Sequence, residues 1–265
     1  MSEMETQIED RARAVFSSRA DMYVTSAVHS DPRSLGRLVE LAQVQPDWLV
    51  LDVATGTGHT ALAFAPHVDR VVAFDLTSQM LTEARKLAGS GNVSRVQFVL
   101  ADIHELPFDD ERFDDGTYDL VTCRRAAHHF RDINFALEEM VRMLKPGGLL
   151  LIDDRAVPED DFVDGIMNRL DWLHDESHVH QYRPSEWQAM LKQAACLVEF
   201  QETTVLHRPL RSLTDRVSPQ NVAEIQRVFD GLAPEQREKL AVQEIDGELY
   251  SNHWYITLLA RKNSS

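Results

Sequence analysis

Val50-Leu51-Asp52-Val53-Ala54-Thr55-Gly56-Thr57-Gly58-His59-Thr60 decides how this chain folds, because an apolar run ends in an acid and breaks into a glycine-rich turn before an Ala/Leu-rich segment. Successive Val and Leu suit a strand buried on both faces. Gly56 and Gly58 suit the turn, since a residue without Cβ tolerates left-handed φ and lets a ligand lie against the main chain. A helix expected from His59 to Pro66 then points its first amides at whatever sits above the turn. Asp52 adds a fixed negative charge there, which disfavours a pyrophosphate and suits a ligand bearing an ammonium or sulfonium group.

The stretch Gly56-Thr57-Gly58-His59-Thr60-Ala61 also satisfies the G-x-G-x-x-G/A dinucleotide pattern, so the elements that follow must discriminate. Arg70-Val71-Val72-Ala73-Phe74-Asp75 reads as a second buried strand ending in an acid suited to two ribose hydroxyls, a feature dinucleotide enzymes share. Val96 to Leu100 reads as a third strand, and Ala101-Asp102-Ile103 after it offers an acid to an adenine amino group. Tyr118 to Cys123, an amphipathic helix, the Pro146-Gly147-Gly148 turn and Leu149 to Asp153 complete the series. Five strands with intervening helices give a parallel, doubly wound sheet.

In this order the pieces resemble a class I S-adenosylmethionine-dependent methyltransferase, most similar to the small-molecule branch that holds the ubiquinone/menaquinone C-methyltransferases. The resemblance covers residues 45 to 155 well and the rest loosely. It implies an α/β, Rossmann-like, seven-stranded sheet, mostly parallel with an antiparallel last strand, plus a helical cover. It implies S-adenosylmethionine as cofactor, S-adenosylhomocysteine as product, and a small-molecule methyl acceptor. Cofactor contacts implied are Tyr23, Asp52, Ala54, Gly56, Gly58, Asp75, Leu76, Met80, Ala101, Asp102, Ile103 and Arg124. Two departures stand out: Ala54 replaces the family's first loop glycine, and the acidic run Asp109 to Gly116, expected to bulge at the surface, is longer than usual.

No Pro/Gly/Ser-rich linker divides the 265 residues, so one domain is expected. Its parts are an N-terminal helical cover (1–45), a cofactor-binding core (46–155), substrate-side helices with an edge strand (156–250), and a last strand and tail (251–265). Ser34 should cap a helix through Leu41, and Ser185-Glu186-Trp187-Gln188 should open another as a capping box. Helices over roughly 219–242 should interrupt the terminal hairpin, and Trp172, Trp187 and Trp254, each in an apolar periodic run, should be core.

A net charge of −16, from 27 basic against 43 acidic residues, argues against nucleic acid and favours small neutral or cationic substrates. No apolar run approaches the ~20 residues a membrane span needs, so no membrane insertion is expected. An acidic N-terminus unlike a signal peptide, with only Cys123 and Cys196, suits a cytoplasmic protein. A homodimer is left open.

Methyl transfer needs alignment and water exclusion, and a base only where the acceptor loses a proton. His128 and His129 are the candidate catalytic pair, with the alternative that one ring bonds the backbone while the other packs. Arg125, His178 and Tyr182 are candidate substrate contacts. The run from His174 to Tyr182, with residues 218–242, is the expected acceptor cover. His174, His178 and His180 match no metal signature, and no metal is expected. Two other readings are a nicotinamide-dependent oxidoreductase and an S-adenosylmethionine-binding protein that no longer methylates.

Overall fold

A computed structural model describes residues 3–91, 93–107 and 109–264. Its sheet is built from β1 (Leu49–Val53), β2 (Arg70–Asp75), β3 (Val96–Leu100), β4 (Tyr118–Arg124), β5 (Leu144–Ala156), β6 (Cys196–Pro209), β7 (Gln243–Ile245) and β8 (Glu248–Lys262). The strands lie in the order β3-β2-β1-β4-β5-β8-β6, with β7 pairing β8. The first five are parallel, whereas β8 runs antiparallel to both β5 and β6. The chain winds outward from β1 to β3 and then returns to β4 beside β1, so the switch point lies between β1 and β4 at their carboxyl ends.

The sheet has eight strands rather than the expected seven, the extra one being the short, exposed β7. It turns into β8 through Asp246-Gly247, with φ of 51° and 80°, the pair of positive φ angles a two-residue hairpin turn requires.

Helices cover both faces. They are α1 (Glu3–Thr25), α2 (Ala27–Ser30), α3 (Pro32–Ala42), α4 (His59–Phe64), α5 (Ser78–Ser90), α6 (Ile133–Met143), α7 (Asp161–His174), α8 (Pro184–Gln193), α9 (Arg211–Thr214), α10 (Pro219–Asp230) and α11 (Pro234–Lys239). Neighbouring strand residues supply opposite layers, as the two-residue period dictates. Leu51 and Val121 join a core with Leu137, Met167, Trp187 and Phe229, whereas Val50 and Leu120 join one with Leu38 and Phe64. Among the described residues no helix is long and apolar enough to cross a membrane.

Local punctuation differs from expectation at three places. Asp31, not Ser34, caps α3, accepting from the Arg33 and Ser34 amides, because Pro32 fixes the first helical position. At α8 the reciprocal contact is Arg183 N to Glu186 Oε2 at 2.7 Å, so the helix opens ahead of Ser185, which instead bonds Glu159. Trp187 and Trp254 are buried, but Trp172 is 44% exposed, on the outer side of α7. In the acidic run, Asp109 to Gly116, Phe113 turns inward and stacks edge-on against Phe74, so the bulge is anchored in the core.

Candidate functional site

Above the carboxyl ends of β1, β2 and β4 lies a cavity lined by Val53 to Thr57, Asp75, Leu76, Met80, Ala101 to His104, Arg124 and Arg125. The helix α1 closes it with Glu9, Ala12, Phe16 and Tyr23. Gly56 stands at φ 56°, and its amide donates to Asp75 Oδ2 at 2.8 Å, while Thr77 N donates to Asp75 Oδ1 at 2.9 Å. The two bonds tie the loop to β2 and aim the carboxylate at the cavity. Burial pushes the Asp75 carboxyl up to about 6 against the pull of those amides. Ala54 sits at φ 52°, so the missing glycine is tolerated as left-handed backbone costing about 1 kcal/mol.

At the other end, His104 N donates to Asp102 Oδ1 at 2.9 Å. Asp102 Oδ2 is buried with no hydrogen-bond partner. The Arg13 guanidinium stands 3.8 Å from that oxygen, beyond hydrogen-bond reach, so it has room to accept from a donor in the cavity. Leu76, Met80 and Ile103 line the same cavity and supply apolar surface.

Two expected contacts are elsewhere. Asp52 does not line the cavity: Thr55 Oγ1 and Thr122 Oγ1 each donate to it at 2.6 Å, and burial raises its carboxyl to about 6. Through these bonds it braces the loop against β4. Gly58 also stays outside the lining; it precedes α4 at φ 85°, and a Cβ there would meet Ala84 and the Phe98 ring at 3.2 Å.

A second cavity, of about 190 Å³, adjoins the first and shares Tyr23, His29, Arg125 and His129 with it. His128 lines only this one. Its Nδ1 lies 2.6 Å from Asp154 Oδ1, and its amide donates to Asp154 Oδ2 at 3.1 Å. Burial would raise Asp154, yet His128 and the Arg155 amide hold it below the ordinary carboxylate range. An ionised Asp154 places the His128 proton on Nδ1 and leaves a lone pair on Nε2. His129 Nδ1 faces the Ser177 carbonyl at 3.0 Å, and burial with neighbouring His128 lowers it to about 4. His178 contacts Asn168 Oδ1 through Nε2 at 2.9 Å, and the same oxygen accepts from Gln181 N at 2.7 Å. Asn168 Oδ1 is thereby an acceptor, so His178 carries its proton on Nε2 and its Nδ1, otherwise without a partner, is a lone pair.

Tyr182 lines none of these cavities; its ring packs edge-on against Trp187, 5.6 Å away, after pairing with the end of β5. In the run 174–182, Asp175, Ser177, His178 and Gln181 are buried, and His174, Asp175 and His178 line the second cavity. Because α7 stops at His174, His174 and His178 share no helix face, and His174 Nδ1 bonds the Leu213 carbonyl. The helices α10 and α11 line neither cavity; the late residues that do are Arg208 and Ser212, which flank the turn from β6 into α9, and Tyr255 of β8. A third, open space of about 780 Å³ continues outward from the same turn and shares Tyr23, His174, Arg208 and Ser212 with the second cavity. Sequence patterning overlooked this turn, which carries no motif and owes its place to pairing with β8.

The methyltransferase domain family matches residues 51–152. The methyltransferase YcgJ of Bacillus subtilis is 40% identical over 175 residues, 66% of this chain and 67% of the relative. The crystal structure of BH2331 from Bacillus halodurans superposes with a TM-score of 0.81 at 33% identity, covering 86% of this chain and 98% of that one. A ubiquinone/menaquinone biosynthesis C-methyltransferase of Teredinibacter turnerae is 36% identical over 130 residues, 48% of this chain and half of that protein. The chain belongs to the class I S-adenosylmethionine-dependent methyltransferases, and the nicotinamide-dependent alternative falls away.

Proposed function

We propose that this protein transfers the methyl group of S-adenosylmethionine to a small molecule seated in the histidine-lined cavity. The observation that carries the reading is the junction of two cavities at the switch point, one lined by the two buried acids of a nucleoside site, Asp75 and Asp102, the other by an Asp-oriented imidazole. Bound S-adenosylmethionine supplies an electrophilic methyl group on sulfur. Asp75 suits the ribose hydroxyls, Asp102 Oδ2 the adenine amino group, and Ala54 to Gly56 with Tyr23 and Arg124 the amino-acid end. Leu76, Met80 and Ile103 give the flat apolar walls. The cover α1 keeps water from the cavity. His128 Nε2 takes the proton of an acceptor that must lose one, and Asp154 stabilises the resulting imidazolium. Arg125, at the junction, and His178 line the acceptor side.

Calorimetric titration with S-adenosylhomocysteine tests the reading. The wild type should bind, and Asp75→Ala should weaken binding by about 1.5 to 3 kcal/mol, the worth of hydrogen bonds to a charged acceptor. No binding by the wild type, or unchanged affinity in the variant, overturns it.

A further inference from the structure

We infer that the methyl acceptor is an acid, whose carboxylate or phosphate group is received by Arg208, Ser212 and Arg125 in the second cavity. This rests on the methyltransferase reading and goes beyond it by naming the substrate's charge. The cavity wall runs against the sign of the whole chain. Three guanidiniums line it, those of Arg125, Arg155 and Arg208, beside the carboxylates of Asp171 and Asp175. Both acids are already matched: Asp171 with Arg155 at 2.9 Å, Asp175 with Arg19 at 3.4 Å.

The remaining cations are under-matched. Arg125 shares one carboxylate, Asp153, with Arg124, at 3.2 and 3.3 Å. Its Nη1 is buried with no hydrogen-bond partner. Arg208 donates to the Tyr255 hydroxyl at 2.9 Å, and among the described residues no carboxylate stands within 4.0 Å of it. Ser212 Oγ is likewise buried without a partner. The two guanidiniums meet on one ring, Arg125 stacked 4.0 Å over the Tyr255 face and Arg208 at its hydroxyl. Buried donors left open in this way cost free energy until an acceptor fills them, and convergent guanidiniums select an oxyanion over a neutral carbonyl. His128 and the residues shared with the cofactor cavity line the same space. An acid held at Arg208 can therefore extend its reacting atom inward. The open space outside the turn gives it access, past Arg211 and Arg216.

Isosteric probes test this on the full chain saturated with S-adenosylhomocysteine. Benzoate and phenyl phosphate are titrated against benzamide and benzyl alcohol, with acetate and inorganic phosphate as minimal probes, followed by melting temperature and calorimetry. Anions should bind at least tenfold more tightly than the neutral members, and the better of benzoate and phenyl phosphate distinguishes carboxylate from phosphate. Arg208→Gln and Ser212→Ala should each weaken the anion about tenfold or more while S-adenosylhomocysteine affinity holds, and Arg208→Lys should recover part of the loss. The inference is overturned if none of the anions binds, if the neutral members bind as well, or if Arg208→Gln leaves anion affinity unchanged. Failure of S-adenosylhomocysteine itself to bind would instead defeat the methyltransferase reading.

Discussion

His128 and His129 are adjacent, with ring centroids 4.0 Å apart, but their partners give them different capacities. His128 is backed by a carboxylate that gains when the ring becomes charged; His129 is backed by a carbonyl and held neutral by burial, its value lowered to about 4. A base must both accept a proton and keep it through the transition state, so the proposed base is His128, backed by Asp154, with His129 as a wall of the junction. His128→Asn should lower the single-turnover rate by about 10²- to 10⁴-fold with S-adenosylhomocysteine affinity nearly intact. His129→Asn should chiefly raise KM. Asp154→Asn should reproduce the His128 defect, since an amide favours the wrong tautomer. Equal rate losses at both histidines, or none at His128, would remove the base assignment.

At the scale of elements, the glycine loop separates two duties that its pattern joins. Gly56 has left-handed φ with no atom within 4 Å of where a Cβ would stand, and it lines the cavity; Gly58 has left-handed φ with Ala84 and Phe98 at 3.2 Å, and does not. Gly56→Ala should weaken S-adenosylhomocysteine binding at a stability cost of about 1 to 2 kcal/mol. Gly58→Val should cost about 2 to 4 kcal/mol in urea unfolding, from backbone strain plus overpacking against α5 and β3. The reverse ranking in the two assays would refute this division. β1, β2 and β3, their terminal acids and the presence of helices over 219–242 were legible because apolar runs, helical periodicity and Gly turns act locally. The direction of Asp52 was not, since it depends on Thr122 of a neighbouring strand. Nor was the turn at Arg208 and Ser212, which reaches the cavity only because β6 pairs with β8. Tyr182 lay close in sequence to His178, but pairing with Ala156 carries it into the core instead.

For the molecule as a whole, burial shifts two sets of groups in opposite senses. Burial lowers His29 to about 3 and His129 to about 4, and it pushes His59, His174, His178 and His253 downward as well. Between pH 6.5 and 4 the unfolded chain takes up protons at these positions and the folded chain does not, so their stabilising contribution is full above pH 6.5 and is lost on acidification. Asp52 and Asp75, raised by burial to about 6 from 3.8, do the reverse: their contribution is present below about pH 4 and withdrawn as pH rises through 6. The lowered histidines outnumber the raised carboxyls, and the shifts of His29 and His129 exceed those of Asp52 and Asp75, so the melting temperature of the ligand-free protein should fall from pH 7 to pH 5, even though acidification relieves the repulsion of a net charge of −16. Asp75 adds a separate signature in binding. Its protonation removes the charged acceptor, so S-adenosylhomocysteine affinity should be level above pH 7 and weaken below pH 6, by no more than about tenfold per pH unit for one proton. His29→Asn and His129→Asn should flatten the stability profile without moving the binding profile. A melting temperature that rises toward pH 5, or a binding profile that follows the histidine variants, would show that these buried groups do not govern the protein's response to acid.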